Sequence, residues 1–149
     1  LSLISFNAIG AGTSSNTDDS SETSDQIIKL YELAEKHIDN QSYDKSLKLL
    51  KKLTKREDLG TKRADIYNLL GFSYRKLENP DLDKSFAAYM MAIEIDPSHL
   101  GAHEYLGELY LMRDQKDKAV IILKKLDQLA GSNTEEYREL KIAIDAYQS

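Results

Sequence analysis

One four-residue stripe, repeated, limits this chain more than any other feature. Tyr67, Leu70, Gly71 and Tyr74 stand at i, i+3, i+4 and i+7, and His103, Leu106, Gly107 and Tyr110 stand in the same arrangement 36 residues later. That spacing lines one face of a 3.6-residue helix. Each stripe is followed by a second one, Ser85, Tyr89 and Ala92 after the first, Ala119, Leu123 and Leu126 after the second. Two amphipathic helices joined by a short polar turn form a hairpin, and a hairpin of this size cannot bury its apolar stripe alone. The chain must therefore stack hairpin on hairpin.

The rest of the sequence supplies the stack. Segments in register begin at Ile27, Ala64, Leu100 and Thr134, with spacings of 37, 36 and 34 residues. In the first, Ile27, Leu30, Leu33, Ala34, His37 and Ile38 are expected on one face, with Ser24 or Asp25 capping the first turn and the helix stopping near Asn40. A second helix is expected to turn Leu47, Leu50 and Leu53 inward and to leave Lys45, Lys48, Lys51, Lys52, Lys55 and Arg56 as a solvated basic flank. Gly60 breaks the chain before the next hairpin, whose turn is Glu78 to Asp81. Pro97 stops that hairpin, because proline disfavours helix at the residue before it, and Ser98 is expected to cap its successor. The turn from Asp114 to Asp117 joins the following pair of helices, and Gly131 closes the second of them. Ser132 and Glu135 have capping-box spacing ahead of a last helix with Tyr137, Leu140, Lys141 and Ile144 on its stripe. There a lysine takes the place of Gly71 and Gly107, as suits a final helix that nothing further must approach.

Composition narrows the chemistry. Without a cysteine among its 149 residues the chain has no disulfide framework, Cys-type zinc site or thiol nucleophile. A net charge of -5 with interleaved signs advertises no phosphate-binding surface, so nucleic acid is not an expected partner. Residues 1–12, LSLISFNAIGAG, are too short to span a bilayer, which takes about 20 residues. Their apolar run ending in Ala8, Gly10, Ala11 and Gly12 reads as a signal-peptide remnant, which places the protein in a bacterial periplasm or outside the cell; read as a plain apolar end, it leaves the protein in the cytoplasm. Residues 13–25, TSSNTDDSSETSD, carry no apolar side chain and are expected to form a disordered linker.

The pattern resembles the tetratricopeptide repeat (TPR), whose signature W-x2-L-G-x2-Y, then A-x3-F, then P is matched by Tyr67, Leu70, Gly71, Tyr74, Ser85, Tyr89, Ala92 and Pro97, again by His103, Leu106, Gly107, Tyr110, Ala119 and Leu123, and more weakly by Leu30, Leu33, Ala34, His37, Ser46 and Leu50. The resemblance implies an all-α fold over residues 26–148: a right-handed α-solenoid of three helical hairpins (27–60, 64–97, 100–131) and a C-terminal capping helix (134–148). The stretch GAHEYLGELYL at 101–111, with Glu135-Glu136-Tyr137 and Leu140 behind it, is also similar to small secreted proteobacterial TPR proteins, although the cysteines of that group are absent from 131–134.

Catalytic signatures are missing. His103-Glu104 begins like H-E-x-x-H, but Gly107 stands where the second histidine belongs. His99 and His103, four apart, are the pair with metal-binding spacing, against which His103 holds a packing place on its helix. No glycine-rich phosphate loop precedes a helix, and no cofactor is expected.

What remains is surface. In TPR proteins the first helix of each unit lines a concave groove that holds a peptide. Here that face presents Tyr31 and Glu35, then Asn68, Phe72 and Arg75, then Glu104, Tyr105, Glu108 and Met112. Phe72 and Tyr105 are the expected anchors, since aromatics carry much of the energy of peptide interfaces. The glutamates favour a partner with basic residues. Tyr31, Glu35, Leu69, Gly101 and Tyr105 hold the places where chaperone-binding TPR modules carry their Lys, Asn and Arg clamp, so a chaperone C-terminus is not the expected ligand. The function these features imply is a non-enzymatic interaction module acting as an adaptor or assembly factor in the cell envelope, with a self-associating scaffold as the alternative.

Overall fold

The computed structural model describes residues 17–148, with side chains from residue 23 onward. Seven helices make up the described chain: α1 (Thr17–Asp39), α2 (Tyr43–Leu53), α3 (Lys62–Arg75), α4 (Leu82–Ile95), α5 (Leu100–Met112), α6 (Lys116–Ala130) and α7 (Glu135–Ala146). They pair as hairpins α1–α2, α3–α4 and α5–α6. Each first helix also meets the first helix of the next unit, so α1, α3, α5 and α7 lie side by side along one face.

The repeated stripe is what holds the hairpins together. Tyr89, Ala92, Ala119 and Leu126 are fully buried, and Leu70, Tyr74, Leu106 and Leu123 nearly so. Gly71 has a specific job: a Cβ there would stand 2.6 Å from the ring of Tyr89, so only hydrogen at this place lets α3 and α4 close on each other. Gly107 does the same for a different pair, since its Cβ would stand 2.5 Å from Leu140 of α7. Two buried hydroxyls add direction: Ser85 donates to the Gly71 carbonyl at 2.8 Å, and the hydroxyls of Ser73 and Ser46 meet at 3.3 Å across α3 and α2. A buried polar group without such a partner would cost about 1–3 kcal/mol.

Several local expectations are corrected. Helix α1 begins at Thr17, well ahead of Ile27, so 17–25 is helical rather than linker, while 1–16 lie outside the described residues. Adding turns to a nucleated helix costs little. Within α1 the inward face is Ile27, Tyr31 and Ala34, and Leu33 is 42% exposed. Ser98 does not cap α5; it bonds instead to Asp96, and the cap is His99, whose Nδ1 accepts from the Ala102 N–H at 3.1 Å. Helix α7 is capped by Thr134, accepting from the Tyr137 N–H at 3.3 Å, rather than by Ser132. Gly131 closes α6 at φ 82, a conformation that suits glycine.

Candidate functional site

The side-by-side first helices give their shared face a fixed register. A Cβ on Gly101 would stand 3.3 Å from Asn68 Nδ2, the rings of Phe72 and Tyr105 are 5.1 Å apart, and Arg75 donates to Glu108. All three pairs are 33 residues apart, one residue in each turn of α3 meeting its counterpart in α5. The strip of side chains expected on α3 is thus brought against the strip expected on α5.

At its centre is a stack. Phe72 is half-buried, edge-on to Tyr43 at 6.2 Å on one side and tilted against Tyr105 on the other. The Arg75 guanidinium lies 5.5 Å from the Phe72 ring centre and 5.2 Å from that of Tyr105. Burial opposes the charge on Arg75, but Tyr89 and the Glu108 carboxylate outweigh it and raise its pKa above the ordinary arginine value. Its Nε has no partner. Arg75 and Glu108 are therefore committed to each other, while the aromatic pair keeps part of its surface open.

Glu104 lies in different surroundings. It is 9% exposed and has neither a hydrogen bond nor an ion pair with any described residue. Burial, then Glu108 and Glu136, push its carboxyl up to about 8; Glu139 adds to this and Arg75 works against it. Burial and then Glu104 raise the Tyr105 phenol as well. Asn68 is buried, and its Oδ1 is without a partner.

The outer members of the expected site fall at the two ends of the face. Glu35, half-buried, lines an open cleft of ≈ 330 Å³ with Ile38, Asp39 and Leu69. Met112, exposed, lines another of ≈ 400 Å³ with Arg75, Glu108, Leu111, Ala143, Ala146 and Tyr147. Tyr31 goes elsewhere: it is buried in the core formed by α1, α2 and α3, with Lys62 Nζ 4.6 Å from its ring centre. The two histidines also do structural work. His99 Nε2 lies 3.1 Å from Asp65 Oδ1, and the buried His103 donates from Nε2 to the Pro97 carbonyl at 2.9 Å. Among the described residues no three His, Asp or Glu side chains are placed to hold a metal ion.

Sequence reasoning missed the contribution of α7. Glu139 stands one repeat beyond Tyr105, and carrying that place forward would have found it; Glu136 lies one turn earlier on the same helix. Tyr43 escaped because it belongs to a second helix, yet reaches the Phe72 ring.

Solved structures share this architecture. The first TPR of Spaghetti (RPAP3), bound to the HSP90 peptide SRMEEVD, superposes with a TM-score of 0.68 at 17% identity, covering 85% of this chain and 98% of that one. The crystal structure of MamA superposes with a TM-score of 0.65 at 19% identity, covering 85% and 73%. The fold is a TPR solenoid. No protein-family model matches the sequence. Two Arabidopsis thaliana proteins, ETO1-like protein 2 and Ethylene-overproduction protein 1, are each 29% identical to it over 113 residues, 76% of this chain. This TPR solenoid spans 12% of the length of each.

Proposed function

We propose that the protein is a non-enzymatic interaction module that holds a segment of another protein along the face of α1, α3, α5 and α7, as an adaptor or assembly factor. The observation that carries this is the half-open Phe72–Tyr105 pair beside the unpaired carboxyl of Glu104, between two clefts on one continuous face. Aromatic faces supply affinity to an extended or helical segment. The peptide held by the RPAP3 domain, SRMEEVD, is acidic. The present face carries Glu35, Glu104, Glu108, Glu136 and Glu139, with Arg75 already paired, which favours a partner bearing Lys or Arg. Action in a bacterial periplasm is proposed from residues 1–12.

Titration of a captured partner tests the reading. Phe72→Ala is expected to weaken binding at least tenfold, about 1.5 kcal/mol or more, and Glu104→Lys to weaken it for a basic partner. Unchanged affinity in both variants would remove the groove assignment.

Self-association is favoured by one observation, the exposure of Ile121 on α6 and Ile142 on α7. Sedimentation velocity decides it: a mass rising with concentration supports it, and a monomer throughout does not.

A further inference from the structure

Glu104 is surrounded by more negative charge than its neighbours can balance. Glu108 and Tyr105 flank it on α5, Glu136 and Glu139 approach from α7, and Arg75 faces it from α3 with Tyr89 of α4 behind. Arg75 is the cation that bears on Glu104, but it is paired with Glu108 and stacked on Phe72 and Tyr105. Glu104 is nine-tenths buried as a residue and has no hydrogen bond to a described residue, and its carboxyl oxygens keep contact with solvent; the fully buried unpartnered atoms of this strip are Asn68 Oδ1 and Arg75 Nε. A carboxyl without a protein donor in these surroundings gains from a donor brought to its solvent-facing side. Among the described residues no three His, Asp or Glu side chains are placed to hold a metal ion, and the half-open aromatic pair beside Glu104 suits the alkyl stem of an organic cation.

We propose that Glu104 is the subsite for a basic side chain of the bound segment, and that it exchanges its proton for the ammonium or guanidinium group. The subsite presupposes that this shared face holds a partner. In the exchange the Glu104 O–H bond breaks, the proton leaves to solvent, and the carboxylate accepts an N–H hydrogen bond from the incoming cation. The Phe72 and Tyr105 rings lie beside the path of the alkyl stem. In the free protein, burial and the carboxylates of Glu108, Glu136 and Glu139 keep the acid protonated at neutral pH, with its pKa near 8. Binding therefore competes with the proton. Affinity strengthens as pH rises toward 8 and levels off above it, below the titration of the partner's own lysine near 10.4.

The test uses the full chain and a synthetic library of nine-residue peptides, each with a single central lysine; the strongest binder is then made with norleucine in its place. Calorimetry at pH 7 in buffers of different ionisation enthalpy is expected to show close to one proton released per lysine peptide and none for the norleucine form. The dissociation constant of the lysine form falls by up to about tenfold per pH unit between pH 6 and 8 and is flat from there to pH 9. Glu104→Gln abolishes the proton release and narrows the preference for lysine. A Glu136→Gln, Glu139→Gln variant leaves Glu104 in place, lowers its midpoint, and so reduces the protons released at pH 7. Carbon-detected titration of the free protein places the Glu104 midpoint near 8. An ordinary carboxylate midpoint, or lysine binding without proton release, overturns the subsite alone. Failure of both peptide forms to bind at any pH removes the groove reading and the subsite together.

Discussion

At the scale of single residues, the clearest consequence is electrostatic. The folded protein holds the Glu104 proton up to about pH 8, against an ordinary value of 4.5. Sign follows from which state binds the proton: between these values the native state binds more than the unfolded chain, so stability falls as pH rises through this window and is constant beyond it. Glu104→Gln is therefore expected to leave stability almost unchanged at pH 4 and to raise it by about 2 kcal/mol at pH 9, as read by urea unfolding at both values. The two helix-contact glycines make a second comparison. Alanine at Gly71 meets the rigid, fully buried ring of Tyr89, whereas alanine at Gly107 meets the rotatable end of Leu140. Gly71→Ala is expected to cost about 2 kcal/mol despite the better helix propensity of alanine, and Gly107→Ala less, the difference appearing as separate thermal midpoints. Gly71, Tyr89, Ala92 and Ala119 were legible in the sequence because the repeat stripe allows them one role. Tyr31 was not: on α1 it lies beside Leu33, and only the position of α3 decides that Tyr31 turns inward and Leu33 outward.

At the scale of the helix, number and order were legible because seven apolar periods with turns between them leave few alternatives, while the ends were less so. Each helix end is chosen among neighbouring polar side chains by geometry. At α5, Ser98 was free to cap, but its bonds to Asp96 give the cap to His99. At α7, Thr134 outcompetes Ser132. Thr134→Ala is thus expected to destabilise the protein by about 1 kcal/mol and Ser132→Ala by little, as measured by chemical denaturation. The early start of α1 has the same origin. A run without apolar residues has no packing reason to order by itself, yet its first nine described residues extend an existing helix at low cost.

At the scale of the whole molecule, α7 matters out of proportion to its length. Leu140 and Ile144 cover the cluster of Leu111, Ala119, Leu123 and Leu126, and Glu136 and Glu139 complete the acidic surroundings of Glu104. Leu140→Ala is expected to cost about 2–5 kcal/mol and, by loosening α7, to lower the Glu104 midpoint as well; unfolding curves and carboxyl titration check the two effects together. A solenoid couples neighbours in this way, since each unit contacts only the next.

The sequence by itself determined that the chain is a stack of helical hairpins, because an apolar stripe repeated every 34 to 37 residues has no other way to leave water. It also marked the strip holding Asn68, Phe72, Arg75, Glu104, Tyr105 and Glu108 as lying off the packing stripe. Only the tertiary structure decided what each member is left to do. Whether a charge is paired depends on distances between helices 33 residues apart, and those distances commit Arg75 to Glu108, bring α7 carboxylates to Glu104, and leave that one buried acid without a partner.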